Sequence, residues 1–250
     1  VYPFDNTYLP GKRYLPPSLE HPLGTDFVGR DVLAQIISGS RDVMLVAFLT
    51  GAMTTIFAIM IGVSSGMIGG TFDASLMLIA DIFLIIPSFP LLLIIAVSIP
   101  RVMTPLEVAL IISITGWAGL ARTIRSQVLS IREKPFIEAA RSLNLSNVHI
   151  LFNEILPNLM PYIVMSLILA MKNAIYSQVG LFFLGALPFT SVNWGIMINI
   201  GLYSEYALLN PKAWIYLFSP MVCIVLIQTG LLFMLSGMEE IFNPRLRSEE

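Results

Sequence analysis

A run of 30 residues without a charged side chain separates Asp42 from Asp73. A helix needs roughly 20 apolar residues to cross the hydrocarbon core of a bilayer. Over the whole chain, 56% of the residues are hydrophobic and only 12% are charged, whereas an average soluble domain is about 25% charged. So few charges cannot cover the surface of a compact soluble body. The sequence therefore predicts an all-α, polytopic membrane protein and argues against disorder and against an independent soluble enzyme.

Five apolar segments are long enough to be membrane spans. The predicted spans are about 43–68, 75–98, 106–121, 161–187 and 213–235. Pro87 and Pro90 interrupt the second span, where we expect a kink or a locally unwound helix. Gly62, Gly66 and Gly70 have the small-xxx-small spacing that lets membrane helices approach closely.

The basic residues predict the orientation of the chain. Five of the 14 Lys and Arg residues lie between Arg122 and Arg141, so this loop is expected to be cytoplasmic. Counting spans then predicts an extracytoplasmic segment at 1–41 and a transmembrane domain at 42–250, with the cytoplasmic loop at 122–160 and a cytoplasmic C-terminus. Because an external N-terminus here lacks a signal sequence, we expect a sixth span upstream of Val1, which would place both ends in the cytoplasm.

No catalytic or metal-binding pattern stands out. The sequence contains no GxxxxGK[ST], HExxH or GxSxG motif. The single cysteine, Cys223, excludes a disulfide framework and a Cys-based zinc site, and His21 and His149 are too far apart to form a His-rich metal site alone. A net charge of −2 argues against nucleic-acid binding. A membrane protein of this kind is usually a conduit, a scaffold or the partner of another protein.

The charged loop has the pattern of a helix, a turn and a second helix. Residues 135–143 are compatible with a helix, and Asn144 tolerates the left-handed conformation that ends one. Ser146 or Asn147 can cap the next helix, which we expect Pro157 to stop. With both signs of charge and a small Ala-Ala face, the loop suits docking into a groove of a soluble partner. A plain solvated loop is the alternative.

The same loop resembles the EAA motif of the permease subunits of ABC importers. That motif reads Glu-Ala-Ala, three residues, Gly, nine residues, then Ile-x-Leu-Pro. The positions that match it in type and spacing are Glu138, Ala139, Ala140, Leu156 and Pro157. The chain departs from the motif at its glycine, which is Asn144 here, and at its isoleucine, which is Glu154.

Other segments narrow the resemblance to the C-type permeases of dipeptide and oligopeptide importers. The segments that carry it are HPLGTD at 21–26, GRDVL at 29–33, FLG at 183–185, WG at 194–195 and NPRLR at 243–247. They span nearly the whole chain in order. Members of that family have the type I ABC-importer transmembrane fold with both ends cytoplasmic, in agreement with the expected upstream helix.

The resemblance implies a mechanism and a set of partners. The chain would form half of a translocation pathway together with a homologous B-type permease. Two ATP-binding cassette subunits would bind ATP and Mg²⁺, so no cofactor is expected in this chain, and an extracellular substrate-binding protein would deliver the substrate. ATP binding would close the ATPases, push the coupling loops together and turn the cavity outward by rigid-body motion. The chain would thus be a subunit in the cell membrane rather than an enzyme.

The resemblance also implies which residues couple the permease to the ATPases. We expect residues 137–147 to form the coupling helix, with Glu138 in polar contact with an ATPase. The residues assigned to coupling are Ile137, Glu138, Ala139, Ala140, Arg141, Leu143, Asn144, Ser146, Asn147, Leu156 and Pro157.

Five polar residues in the predicted spans are candidates for the translocation pathway. They are Asp81, Lys172, Asn173, Ser177 and Gln178. A charge near the middle of a membrane costs at least about 2.5–3.5 kcal/mol on insertion scales, so Lys172 should face water or a partner. An ion pair with Asp81, or snorkelling of the long stem, would explain Lys172 without a role in transport. Asn173, Ser177 and Gln178 extend its polar stripe at helical spacing.

The substrate is the least determined feature. The same permease class resembles importers of peptides, of oligosaccharides and of nickel. Peptides are our first expectation and oligosaccharides the second, while only two histidines make nickel less attractive. A self-contained secondary transporter or channel is the competing class. It predicts an internal repeat, paired intramembrane acids or a selectivity filter, and the sequence shows none of these.

Overall fold

The computed structural model of the chain describes residues 10–99, 101–188 and 192–242, and the regular structure in this part is helical. The α-helices are α1 (Val32–Ile68), α2 (Gly70–Ile85), α3 (Ser88–Val97), α4 (Pro105–Arg132), α5 (Pro135–Ser142), α6 (Asn147–His149), α7 (Leu156–Phe183), α8 (Trp194–Asn199) and α9 (Trp214–Phe242). Two π-helical segments (Ile150–Ile155 and Ile200–Ser204) and two 3-10 turns (Pro10–Lys12 and Pro211–Ala213) complete it. The predicted all-α class is confirmed. The NPRLR segment at 243–247 lies outside the described residues.

Four helical stretches of the described chain are long and apolar enough to cross a membrane. They are Val32–Ile68, Pro105–Arg132, Asn147–Phe183 and Pro211–Phe242. The helices α2 and α3, which bend by 81° at the break between them, bring the number to five if the pair is one span. These stretches overlap the five predicted spans and confirm a multi-pass membrane protein.

The helices are longer than the predicted spans. The first begins at Val32 rather than near residue 43, and α4 ends at Arg132 rather than near residue 121. The first part of the loop predicted at 122–160 is therefore helix. A charge marks where lipid ends, but Arg and Lys are good helix formers, so a helix can continue past the lipid boundary.

The break between α2 and α3 lies where the prolines predicted a kink. Pro87 has no backbone N–H and disfavours the helical conformation for the residue before it. Ile86 accordingly has an extended backbone, with φ −76° and ψ 126°. The predicted interruption of the second span is confirmed.

The described residues form two compact units, and one of them, called here the second unit, comprises Thr50–Leu92, Ile112–Met171 and Leu231–Glu250. Apolar side chains from α1, α2, α4, α5, the first π-helical segment and α7 meet in its core. The buried members are Ala58, Val63, Ala80, Trp117, Ala118, Ala121, Ile124, Val128, Ile131, Ile137, Ala140, Ile150, Ile155 and Leu159. The charged loop is therefore anchored in the same core as the long helices.

Two glycines allow α1 and α4 to approach closely in this unit. A Cβ atom on Gly62 would lie 2.5 Å from the carbonyl oxygen of Ala121, and one on Gly66 would lie 2.8 Å from Val128. The predicted glycine packing is confirmed at these two positions. For Gly70 it is wrong: this residue has φ +61°, begins α2, and would meet nothing within 4 Å.

The first unit comprises Val1–Leu49, Leu93–Ile111 and Lys172–Gly230. Its largest buried side chain is Trp194, which is 1% exposed. The indole Nε1 of Trp194 donates a hydrogen bond to the carbonyl oxygen of Ile36 at 3.1 Å. The WG segment of the sequence is thus a packing element of this unit.

The N-terminal segment, residues 10–31, is held together around Asp26, which is 1% exposed. The Asp26 carboxylate accepts from the backbone N–H groups of Val28 and Arg30 at 2.9 Å each. It also accepts from the Arg30 guanidinium at 2.8 Å and from the Gln35 amide at 3.0 Å. Four hydrogen bonds offset the cost of burying the charge.

The last residue of this segment, Asp31, caps the start of α1. The Asp31 carboxylate accepts from the Ala34 N–H at 2.7 Å, as a helix cap does, and contacts His21 Nδ1 at 2.8 Å. Gly24 and Gly29 have φ of +71° and +93°, a region that favours glycine. The HPLGTD and GRDVL segments therefore build a compact turn and cap.

Candidate functional site

The loop that resembles the EAA motif begins with α5, which ends in a left-handed turn. Asn144 has φ +56°, and its N–H donates to the Arg141 carbonyl at 2.9 Å. The Leu145 N–H donates back to the Ala140 carbonyl at 3.2 Å. This pair of bonds is the Schellman motif, which needs a left-handed residue after the helix. The predicted left-handed turn at Asn144, where the motif has glycine, is confirmed.

The expected coupling helix is displaced from its predicted bounds. Residues 137–147 were predicted to be helical, whereas the structure places the helix at Pro135–Ser142. A proline favours the first turn of a helix because its missing N–H has no partner there, and Asn144 terminates it. Residues 143–146 are consequently turn rather than helix.

The second helix of the loop starts at the predicted cap. The Ser146 hydroxyl accepts from the His149 N–H at 3.2 Å, and α6, the π-helical segment and α7 follow without a break. The prediction that Pro157 stops this helix is wrong, because the helix continues to Phe183. In the wider π-helical turn the Leu156 N–H bonds to Leu151, five residues back. This register leaves room for the proline ring.

Burial divides the predicted coupling residues into two groups. Ile137 is fully buried and Ala140 is 5% exposed, both within the core of the second unit, and Leu156 is half-buried against that core. The exposed members are Glu138, Ala139, Arg141, Leu143, Asn144, Ser146, Asn147 and Pro157. The prediction that the two alanines form one small face is therefore wrong. Ala140 packs in the core and holds α5 in place, whereas Ala139 faces outward.

The outward face of the loop combines charge with exposed apolar side chains. Glu138 and Arg141 have no side-chain hydrogen bond or ion pair with any residue in the described part of the chain. Leu143 is 74% exposed and Val148 is 65% exposed. An exposed apolar patch of this kind beside unpaired charges is typical of a protein interaction surface.

Two arginines of α4, the helix before the loop, tie α4 to the junction of α1 and α2, a contact that the sequence reasoning missed. Arg125 makes two hydrogen bonds to Asp73, at 2.6 and 2.5 Å, and the Ser65 hydroxyl also donates to Asp73. Arg132 donates to the carbonyl oxygens of Gly66 and Met67 at the end of α1. The only sequence signal was Asp73, an isolated acid at the end of a charge-free run.

Of the pathway candidates, Asp81 is half-buried in α2 and forms an ion pair with Arg122 of α4. About half of each side chain is left uncovered by the other described residues of the chain. The alternative prediction, an ion pair between Asp81 and Lys172, is wrong, because the partner of Asp81 is Arg122. Arg122 was predicted only as a member of the basic loop.

The four candidates in α7 do not form the single polar stripe that was predicted. Asn173 is exposed, while Lys172 and Ser177 are half-buried. Gln178, by contrast, is fully buried. Positions 173 and 177 lie on one face because they are four residues apart, and position 178 is turned about 100° away from 177. The backbone carbonyl of Lys172 accepts from Gln228 at 3.1 Å.

Gln178 lines a cavity of about 210 Å³ in the first unit. Asp42 contributes the only acidic side chain among the described residues that line it. The sequence reasoning missed Asp42 because it appeared only as the boundary of the first span. No group of three or more His, Cys, Asp or Glu in the described chain could hold a metal ion.

Comparisons with known proteins agree with this architecture. The family described as "Binding-protein-dependent transport system inner membrane component" matches residues 58–248. The oligopeptide transport system permease protein OppC of Bacillus subtilis (strain 168) is 30% identical over 233 residues, which are 93% of this chain and 74% of that protein. A putative peptide permease protein of Brucella suis biovar 1 (strain 1330) is 34% identical over 230 residues, which are 92% and 74% of the two chains.

A solved structure supports the fold. The methionine ABC transporter MetNI, in an inward-facing conformation, aligns with a TM-score of 0.63 over 82% of this chain and 96% of its own. At 16% sequence identity this similarity shows the fold alone. Together with the relatives above, it confirms the predicted resemblance to an ABC-importer permease and the predicted transmembrane fold.

Proposed function

The chain belongs to the binding-protein-dependent transport system inner membrane component family, and we propose that it forms half of the translocation pathway of an ATP-driven peptide importer. Relatives that align over most of the chain are named oligopeptide or peptide permeases. These names support peptides over oligosaccharides or nickel as the cargo. A second permease of the same fold would supply the other half of the pathway.

The observation that carries the proposal is the surface of the loop around α5. Ile137 and Ala140 anchor the helix in the core, while Glu138, Arg141 and Leu143 face outward. An ATPase subunit with a groove of mixed charge would complete these groups. We therefore propose that α5 and the turn after it are the docking element for the ATPase. ATP and Mg²⁺ would be bound by that partner.

The ties between α4 and the α1–α2 junction give the loop a route to the membrane helices. The end of α4 lies three residues before the start of α5. Because Arg125 holds Asp73 and Arg132 holds the last carbonyl groups of α1, a push on α5 would move these elements of the second unit as one body. Rigid-body motion of this kind is the usual basis of alternating access.

The proposed orientation follows from the docking role. The loop at 135–149 and the C-terminus would be cytoplasmic, in the cell membrane, where ATP is available. The N-terminal segment 10–31 would then lie outside, on the side from which a substrate-binding protein delivers its cargo.

The test of this proposal is a charge reversal in the loop. Glu138→Lys is expected to reduce assembly with the ATPase subunits and ATP-dependent uptake of a labelled tripeptide into proteoliposomes by at least tenfold. Glu20→Lys is the matched control, since it reverses an exposed acid of the N-terminal segment and should leave ATPase assembly unchanged. Wild-type assembly and uptake in Glu138→Lys would contradict the docking role. Uptake of an oligosaccharide but no peptide by the wild-type complex would contradict the peptide assignment.

A further inference from the structure

The cavity of about 210 Å³ in the first unit has mainly apolar walls. Val46 of α1, Val108 of α4 and Phe182 of α7 are among the residues that line it. Two residues with polar side chains, Asp42 and Gln178, stand among these apolar neighbours. Such a space, apolar with a few convergent polar groups, is the usual form of a small-molecule site.

Gln178 is an unsatisfied polar group in this cavity. Its side chain is 0% exposed, and neither its amide oxygen nor its amide nitrogen has a hydrogen-bond partner among the described residues. Burying an amide without a partner costs roughly 1–3 kcal/mol by mutational measurements. Buried polar groups are nearly always hydrogen-bonded, so the position calls for a partner inside the cavity.

Asp42 is an acid without a basic partner among the residues that the structure describes. Its carboxylate accepts one hydrogen bond, from the Asn193 amide at 3.3 Å, and no Lys, Arg or His of the described chain forms an ion pair with it. Asn193 is itself fully buried, and its oxygen accepts from the Gly195 N–H at 2.9 Å. This second bond orients the Asn193 amide so that its nitrogen faces Asp42.

The contrast with the other acids of the chain indicates what is missing. Asp26, Asp73 and Asp81 each pair with an arginine, whereas the partner of Asp42 among the described residues is a neutral amide. A cation that enters the cavity would find a carboxylate and the free Gln178 oxygen, and its apolar part would find Val108 and Phe182. An anionic group would be repelled by Asp42, and a neutral sugar would leave the Asp42 carboxylate without a cation.

We infer that this cavity binds a protonated primary amine that carries an apolar substituent, as the amino end of a peptide does. The inference rests on the proposed peptide transport and adds to it the end of the peptide that this subunit holds. The ammonium group donates to Asp42 and to the Gln178 oxygen, and the first side chain of the peptide packs on the apolar walls. The cavity is thus a subsite that favours peptides with a free amino end.

The experiment measures equilibrium binding of tritiated leucinamide to the full permease complex in lipid nanodiscs. Asp42→Asn and Gln178→Leu are expected to weaken binding at least tenfold and about threefold, respectively. Val108→Phe, which fills the cavity and leaves both polar groups in place, should also weaken it at least tenfold. Gln228→Leu is the matched control, because it removes another buried carboxamide outside the cavity and should leave binding unchanged.

Two further probes decide which amine is recognised. N-acetylleucinamide has the same apolar group without the charge and should bind at least tenfold more weakly than leucinamide. Nα-acetyllysinamide carries its ammonium on a side chain, and tighter binding of this probe would overturn the assignment to an amino end. Leucinamide affinity that is unchanged in Asp42→Asn and Val108→Phe would overturn the subsite altogether.

Uptake measurements separate this inference from the proposed function. If the wild-type complex transports tripeptides with ATP but leucinamide binds equally well to the wild type and to Asp42→Asn, only the subsite is wrong. If the wild-type complex transports no peptide at all, the proposed function is wrong, whatever the cavity binds.

Discussion

The N-terminal segment 10–31 and the loop 135–149 are both rich in polar residues, yet they use them in opposite ways. In the N-terminal segment, Asp26 pairs with Arg30 at 2.8 Å and Asp31 with His21 at 2.8 Å. In the loop, Glu138 and Arg141 are exposed and pair with no residue in the described part of the chain. The first segment satisfies its charges internally, and the second presents them outward.

This difference distinguishes a charge that shapes the chain from a charge that meets another molecule. A buried, paired charge is costly to leave alone, so removing one partner destabilises the fold. An exposed, unpaired charge adds little to stability, so its presence is better explained by a partner. In the sequence, both regions show acidic and basic residues of the same types, so the sequence does not tell which charges are paired.

The largest effect is expected at Asp26. Asp26→Ala should lower the free energy of unfolding by about 3–5 kcal/mol, because the mutation removes the common acceptor of four hydrogen bonds, among them the charged one from Arg30. Glu138→Ala should change it by less than about 0.5 kcal/mol. Both can be measured by SDS titration of the protein in mixed micelles. Equal losses in the two variants would break the comparison between the segments.

The second effect compares two ion pairs of α4. Arg125→Met removes the bidentate partner of the mostly buried Asp73 and should cost about 1.5–3 kcal/mol. Arg122→Met removes the partner of the half-exposed Asp81 and should cost at most about 1 kcal/mol. The same unfolding titration measures both. In the reconstituted importer that carries Arg125→Met, less peptide should be taken up for each ATP that the ATPase subunits hydrolyse. An unchanged ratio of peptide to ATP would argue against a role of Arg125 in passing the motion of α5 to the membrane helices.

The third effect concerns the turn that ends α5. Asn144→Ala should destabilise the loop by about 1 kcal/mol, because alanine disfavours the left-handed conformation, whereas Asn144→Gly should be neutral or slightly stabilising in this turn. Hydrogen exchange of the amides at 135–147 reports this local stability. Faster exchange in the glycine variant than in the alanine variant would show that the turn does not depend on the backbone conformation of residue 144.

The smallest effect is a pH dependence of the N-terminal segment. Burial, and then the hydrogen bond that Tyr14 donates to Glu205, raise the pKa of Tyr14 to about 12, and burial also raises the pKa of Glu205. The protonated forms are therefore favoured in the folded state. Their stabilisation is present at low pH and is lost as the pH rises, from 10.0 to about 12 for Tyr14 and upward from 4.5 for Glu205.

Melting curves of the wild type and of Tyr14→Phe measure this dependence. At pH 9 the wild type should be the more stable, by about 0.5 kcal/mol, the low end of the usual net contribution of one hydrogen bond, because Tyr14 is only half-buried. Between pH 10 and pH 12 the difference should shrink, because only the wild type loses a proton from residue 14. A difference that stays constant over this range would rule out the titration of Tyr14.

Some features of the fold and of the site could be read from the sequence because they depend on neighbouring residues. The kink before Pro87 follows from the missing N–H of proline, and the left-handed turn at Asn144 follows from a side chain that tolerates it. The helix end predicted at Pro157 was wrong, and the reason is again a feature close to the proline in the chain. A π-helical turn just before the proline accommodates its ring, and nothing local in the sequence announces such a turn.

The sequence by itself determined a helical, multi-pass membrane protein with a charged loop that ends one helix and begins another, because hydrophobic length, proline, glycine and a spaced motif act over a few residues at a time. Only the tertiary structure decided which polar groups meet. Asp42 and Asn193 are 151 residues apart in the chain, and Arg125 and Asp73 are 52 apart. Pairing over such distances depends on how the helices pack, and packing also decides that Gln178 is buried in a cavity while Asn173, five residues away in the same helix, is exposed.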